Sequence, residues 1–155
     1  MSEDNKSIYA DKVYNIVCEA IETEFSCEKD EAKRKITFGI SCSKISMHFC
    51  VMVDEGRQLI KLFSSLPFRF KPDKIIDGCV AACFVSEKLT DGCFVVGIND
   101  GALIYRQTIS VFKSEVSHET VRNLINTAYN TVDIFDDGFL LLARGQITLE
   151  EFLSL

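Results

Sequence analysis

Apolar positions along the chain follow two rhythms, and each switch of rhythm predicts a change of element. From about Ser7 to Phe25, the residues Val13, Ile16, Val17, Ala20, Ile21 and Phe25 recur at three- and four-residue steps, the single apolar stripe of a helix. Glu19, Glu22 and Glu24 lie off that stripe, and the acidic stretch from Glu24 to Glu31 reads as a solvated loop. The period then becomes two. Ile36, Phe38, Ile40 and Cys42 alternate with polar residues, as do Ile45, Met47, Phe49, Val51 and Val53, which predicts two strands. Asp54-Glu55-Gly56 supplies a turn in which the glycine is free to take positive φ, and a third strand is expected from about Arg57 to Leu66. Connections this short join antiparallel neighbours.

Pro67 and Pro72 bracket a loop, and Pro72 suits the first turn of a second helix, where a missing N–H costs nothing. Ile75, Ile76, Cys79, Val80, Cys83 and Leu89 give that helix its stripe, and Gly92 is expected to end it. Phe94 to Ile98 and Leu103 to Phe112 flank Asn99-Asp100-Gly101, a hairpin signal. A third helix begins after Ser117 as N-cap, with Val116 and Val121 placed as a hydrophobic staple. Leu124, Ile125, Ala128, Val132 and Phe135 continue it, and Asp136-Asp137-Gly138 is expected to weaken or kink it. Thr148 and Glu151 have the capping-box spacing of a last short helix. The predicted order is α-β-β-β-α-β-β-α with a small C-terminal helix. Grouped strands exclude a parallel βαβ arrangement and predict an α+β domain over residues 1–155, a five-stranded antiparallel sheet with helices packed against it.

The strand faces change this picture. Ile45, Met47, Phe49, Val51 and Val53 share one side of the second strand, but the opposite side carries Ser46, His48, Cys50 and Met52, only half of them polar. The last strand has Leu103, Tyr105, Ile109 and Val111 on one side and Ala102, Ile104 and Phe112 on the other. A sheet with one solvated face alternates more cleanly. Part of the second face is therefore expected to be covered, first by a helix of the chain itself, otherwise by a second subunit or a bound partner. Read as a binding surface, its candidate residues are His48, Cys50, Met52, Ile104 and Phe112.

Composition bounds the function. A chain of 155 residues with 47% apolar content is long enough for its own core. The net charge of −6 argues against a nucleic-acid surface. The densest basic run, Lys33-Arg34-Lys35, reads as a solvated strand edge. The polar start, Met1 to Lys6, lacks a signal-peptide pattern, and no apolar run approaches the ~18 residues of a membrane span, so the expected location is the cytoplasm. The seven cysteines (18, 27, 42, 50, 79, 83 and 93) are odd in number and form no Cys-x-x-Cys, so they read as small hydrophobes. Cys79 and Cys83 lie one turn apart, but a metal would need two more ligands. His48 and Cys50 share a strand face, the one arrangement that admits a nucleophile pair. His118 opens a helix, where the dipole disfavours its charged form. Gly92 and Gly97 have phosphate-loop spacing without the following Lys and Ser/Thr, and Asp133, Asp136 and Asp137 lack the calcium-loop pattern. No catalytic residue, metal site or cofactor is picked out, and a non-enzymatic role is expected.

Asp91-Gly92-Cys93-Phe94-Val95-Val96 followed by Asp100-Gly101-Ala102-Leu103-Ile104-Tyr105-Arg106 resembles the G-x-F…D-G-x-x-x-Y-R hairpin of the YbjN-like family. Pro72 before the second helix, Asp133 and Phe135 late in the third, and Gly145, Thr148, Glu150 and Glu151 around the last are similar to it too. The second helix departs from the family pattern, with Asp77-Gly78-Cys79-Val80 where an Asn-rich run is expected. That family is labelled as candidate bacterial sensory transduction regulators. The resemblance implies a type III secretion chaperone-like fold, whose secretion members are small, acidic, often dimeric, and hold an extended segment of another protein. It implies an interaction module, a chaperone, adaptor or regulator of signalling, with a protein or peptide partner or a second copy of the chain, and neither nucleic acid nor membrane. A small-molecule sensor domain is the alternative, and a Cys-dependent enzyme using His48 and Cys50 the remote one.

Overall fold

In the computed structural model, which describes residues 2–41 and 45–155, the alternating segments form one antiparallel sheet. The order along the chain is α1 (Glu3–Glu22), β1 (Cys27–Asp30), β2 (Lys35–Ser41), β3 (Ser46–Asp54), β4 (Leu59–Arg69), α2 (Ile75–Glu87), β5 (Gly92–Val96), β6 (Ala102–Ser110), α3 (His118–Ala143) and α4 (Leu149–Leu153). The α+β class and the antiparallel pairing are as expected, but the sheet has six strands, ordered β1-β2-β3-β4-β6-β5, rather than five. The extra one is β1, inside the stretch read as an acidic loop. Cys27-Glu28-Lys29-Asp30 shows no apolar alternation because it is an edge, held by its ladder to β2 from Cys27↔Phe38 to Asp30↔Lys35. Phe25, just before it, stacks on Phe38 at 4.9 Å, and Phe38 stacks on Phe49 at 5.5 Å. Cys42, expected to close β2, lies outside the described residues.

Arg34 is not a solvated edge residue either. With φ at 47° it turns the β1–β2 hairpin, and its guanidinium donates to Asp11 (2.7 Å) and Ser7 (3.1 Å) of α1 and to Glu55 (2.8 Å) of the β3–β4 turn. In that second turn the left-handed residue is Gln58, at φ 52°, and not Gly56. The Asp100-Gly101 turn behaves as expected. Gly101 has φ +69°, and a Cβ there would stand 2.1 Å from the Phe70 carbonyl oxygen, so only glycine fits.

Three boundaries move for physical reasons. β4 runs through Pro67, read as the start of a loop, and the ladder to β6 breaks between Ser65 and Arg69, where proline has no N–H to offer. α2 is led in by a short 3₁₀ turn at Pro72–Lys74 and stops at Glu87. Gly92 belongs instead to β5, where a Cβ would meet the Tyr105 hydroxyl at 2.4 Å. α3 passes unbroken through Asp136-Asp137-Gly138 because Phe139 and Leu142 prolong its buried stripe. Gly138 leaves room for the Phe152 ring of α4, 3.2 Å from where a Cβ would be. The predicted caps hold: Ser117 accepts from the Thr120 N–H, and Thr148 and Glu151 form the reciprocal capping box.

The core lies on one face of the sheet. Ile36, Phe49, Val51, Ile60, Leu62, Leu103 and Tyr105 point inward from four strands and are essentially inaccessible. They pack with Val13, Val17 and Ile21 of α1 and Val121, Val132 and Phe139 of α3 in a single apolar cluster. α2 flanks the outermost strand, and Ser86 caps that strand's free edge: its hydroxyl accepts from the Phe94 N–H at 2.8 Å. Among the described residues no helix is long and apolar enough to cross a membrane.

Candidate interaction surface

Because the inward residues alternate with outward ones, the ladder fixes which side chains share the second face. Successive rows across the sheet read Gly39, His48, Ser65, Ile104 and Val95; then Thr37, Cys50, Phe63, Arg106 and Cys93; then Lys35, Met52, Lys61 and Thr108; then Asp54, Leu59 and Ser110. None of these residues is buried, whereas most of their inward neighbours are. The intramolecular cover expected for this face is absent among the described residues, since α1 and α3 both lie on the other side.

Of the five candidate residues, His48, Cys50, Met52 and Ile104 all stand on this face. His48 is exposed, and the other three are half-buried. Phe112 is not on the sheet. β6 ends at Ser110, and Phe112 lies beyond it, 57% exposed, with the Lys113 ammonium 5.4 Å from its ring. Sequence reasoning missed Phe63 and Leu59 on β4, which lie between β3 and β6, and Arg106 on β6 and Val95 on β5, which flank Ile104 on the same face. The signal was available in the alternation of β4, whose inward set Ile60, Leu62 and Leu66 leaves Leu59, Lys61 and Phe63 facing out.

A hollow of about 470 Å³ opens on this face, lined by Arg57, Leu59, Lys61, Phe63, Asp91, Cys93 and Arg106 among others. Lys61 is tied to Asp54 at 2.5 Å, and that contact together with the Arg57 N–H holds the Asp54 carboxyl below its ordinary value. The Arg106 Nε donates to the Cys93 sulfur at 3.3 Å. Burial pushes the Cys50 thiol up, outweighing Lys35. A nucleophilic cysteine needs the opposite direction. His118, at the far side of the molecule, pairs with Glu19 of α1 at 2.8 Å. Cys79 and Cys83 are half-buried and exposed on α2, and among the described residues no three His, Cys, Asp or Glu side chains gather to hold a metal.

A second depression, of about 420 Å³, lies between α2, α3 and α4 and is walled by Phe84, Val85, Phe135, Leu141 and Phe152, with Lys88 and Asp137 at its polar margin.

The arrangement of six strands and four helices is similar to the crystal structure of YbjN from E. coli, described as a candidate transcription regulator. The two superpose with a TM-score of 0.58 over 87% of this chain and 90% of that one, at 7% sequence identity. The likeness is one of fold. No protein-family model and no curated protein matches the sequence.

Proposed function

We propose that the chain is a non-enzymatic interaction module that receives a protein or peptide segment on the open face of its sheet, as a chaperone, adaptor or regulator in the cytoplasm. One observation carries the reading: Cys50, Met52, Leu59, Phe63 and Ile104 form an apolar field that the chain's own helices leave uncovered. Half-buried apolar side chains grouped on an uncovered sheet face, here around Lys61, favour a contact site. The fold-level likeness to a candidate regulator agrees with it. The net charge of −6 speaks against phosphate contacts, so a regulatory role would run through a protein.

Selection of a random peptide library on the immobilised protein tests this. Selected peptides should lose binding to the variants Phe63→Glu and Ile104→Glu, whose circular dichroism should stay unchanged because both positions face outward. Failure to select any peptide, or equal binding by the variants, overturns the assignment.

A second reading rests on the apolar depression between α2, α3 and α4. Its size and its few polar margins suit a small apolar ligand, as a sensor domain would need. Thermal stabilisation by such a compound, abolished in Leu141→Glu and retained in Phe63→Glu, would favour it.

A further inference from the structure

The hollow on the open face differs in charge from the rest of the protein. The whole chain carries 23 acids against 17 lysines and arginines, yet three cations, Arg57, Lys61 and Arg106, line this one depression. Lys61 is neutralised by Asp54. Arg57 comes from the β3–β4 turn and Arg106 from the middle of β6, and among the described residues neither makes an ion pair. Asp91, just before β5, is the one carboxylate among the described residues that line the hollow. The local balance is therefore positive: Arg57, Lys61 and Arg106 against Asp54 and Asp91.

Beside these two guanidiniums, of which Arg106 also donates its Nε–H to Cys93, lie Leu59 and Phe63, both half-buried and both on the outward face of β4. Arginine presents a planar fork of donors that matches a carboxylate, and an exposed guanidinium beside an aromatic ring is a common recognition pair. We infer that the segment received on this face is acidic, with carboxylate side chains set against Arg57 and Arg106 and apolar side chains on Leu59 and Phe63. The inference rests on the interaction-module reading and adds the chemistry of the partner. The overall negative charge does not prevent it. At physiological salt the Debye length is ~8 Å, so acids farther than that on the helix side of the sheet are largely screened from a segment in the hollow, whereas the arginines act on it at contact distance.

Three synthetic peptides test the inference. They share alternating leucine and phenylalanine positions and differ in the residues between, which are glutamate, glutamine or lysine. Binding is read by fluorescence anisotropy on the full chain. The glutamate peptide should bind about tenfold tighter than the glutamine peptide, the expected worth of a charge-assisted pair in a half-open site, and the lysine peptide weakest. Its affinity should fall with added salt, and the double variant Arg57→Gln/Arg106→Gln should bring it to the level of the glutamine peptide without changing binding of the latter. Equal binding of all three peptides would leave the interaction surface standing and overturn the acidic partner. Binding of the glutamate peptide that survives the double variant would overturn the assignment to this hollow. If none of the three binds, the interaction-module reading fails together with the inference.

Discussion

Gln58 offers the sharpest test of the packing described above. It occupies the β3–β4 turn at φ 52°, is 5% exposed, and neither its amide nitrogen nor its amide oxygen has a hydrogen-bond partner among the described residues. Its backbone is well used, since the carbonyl accepts from the Val111 N–H at 2.9 Å. A buried amide without partners costs about 1–3 kcal/mol in mutational data. Gln58→Met keeps the side-chain length and the backbone hydrogen bond and removes both orphaned atoms. The φ value, unfavourable to either side chain, is unchanged. The expected outcome is a gain of about 1–2 kcal/mol, which for a chain of this size raises Tm by ~2–4 °C per kcal/mol. Gln58→Gly is the companion variant. It removes the same orphaned amide and relieves roughly 1–2 kcal/mol of left-handed strain, against two buried methylenes at about 0.8 kcal/mol each, so it too should stabilise. Urea unfolding followed by circular dichroism is the assay, because the chain contains no tryptophan. The urea midpoint should rise for Gln58→Met with the slope unchanged. A loss of stability in that variant would refute the reasoning, because it would show the amide to be satisfied by a group such as a bound water.

Ser86→Ala should cost about 1–3 kcal/mol and accelerate hydrogen exchange at the Phe94 amide, since the hydroxyl is what satisfies that N–H at the outermost strand. Asp54→Asn should flatten the acid limb of the stability curve. The folded-state carboxyl is held below its ordinary 3.8 by Lys61 and the Arg57 N–H, so its contribution is full above that value and is lost as pH falls through the depressed one. Urea midpoints measured from pH 6 downward should therefore converge for wild type and variant below about pH 4. Iodoacetamide near neutral pH should label the exposed Cys83 well before Cys50, whose thiol is half-buried and pushed up by burial. Rapid labelling of Cys50 would revive a role for it in chemistry.

Much of the fold was legible because the two apolar periods are clean where an element buries one face. β3, α1 and α3 show this, and the caps Ser117 and Thr148 declared themselves by residue type. What escaped notice was decided elsewhere in the structure. β1 has charges where a strand pattern is sought, because an edge strand is held by its neighbour's ladder rather than by its own burial. Asp136-Asp137-Gly138 reads as a weak point or kink, yet Phe139 and Leu142 need the helix to continue into the core. The candidate site was half legible for a related reason. The outward side chains of β3 could be read from alternation alone. Which face the helices would cover, and that Phe63 and Arg106 would stand beside Cys50 in one row, depended on strand order and register.

The treatment of the sheet's two edges limits how a visitor can be held. One edge is stoppered by a serine hydroxyl, and the other is four residues long, two of its central positions being Glu28 and Lys29. A segment lying across the open face meets side chains rather than a strand edge, and would gain no main-chain hydrogen bonds from the ladder. Its backbone would be free of any required conformation, and prolines or N-methylated residues should be tolerated. Recognition would then depend on what the visitor's side chains carry, so unrelated sequences with the same spacing of charge and apolar bulk should compete for the same place.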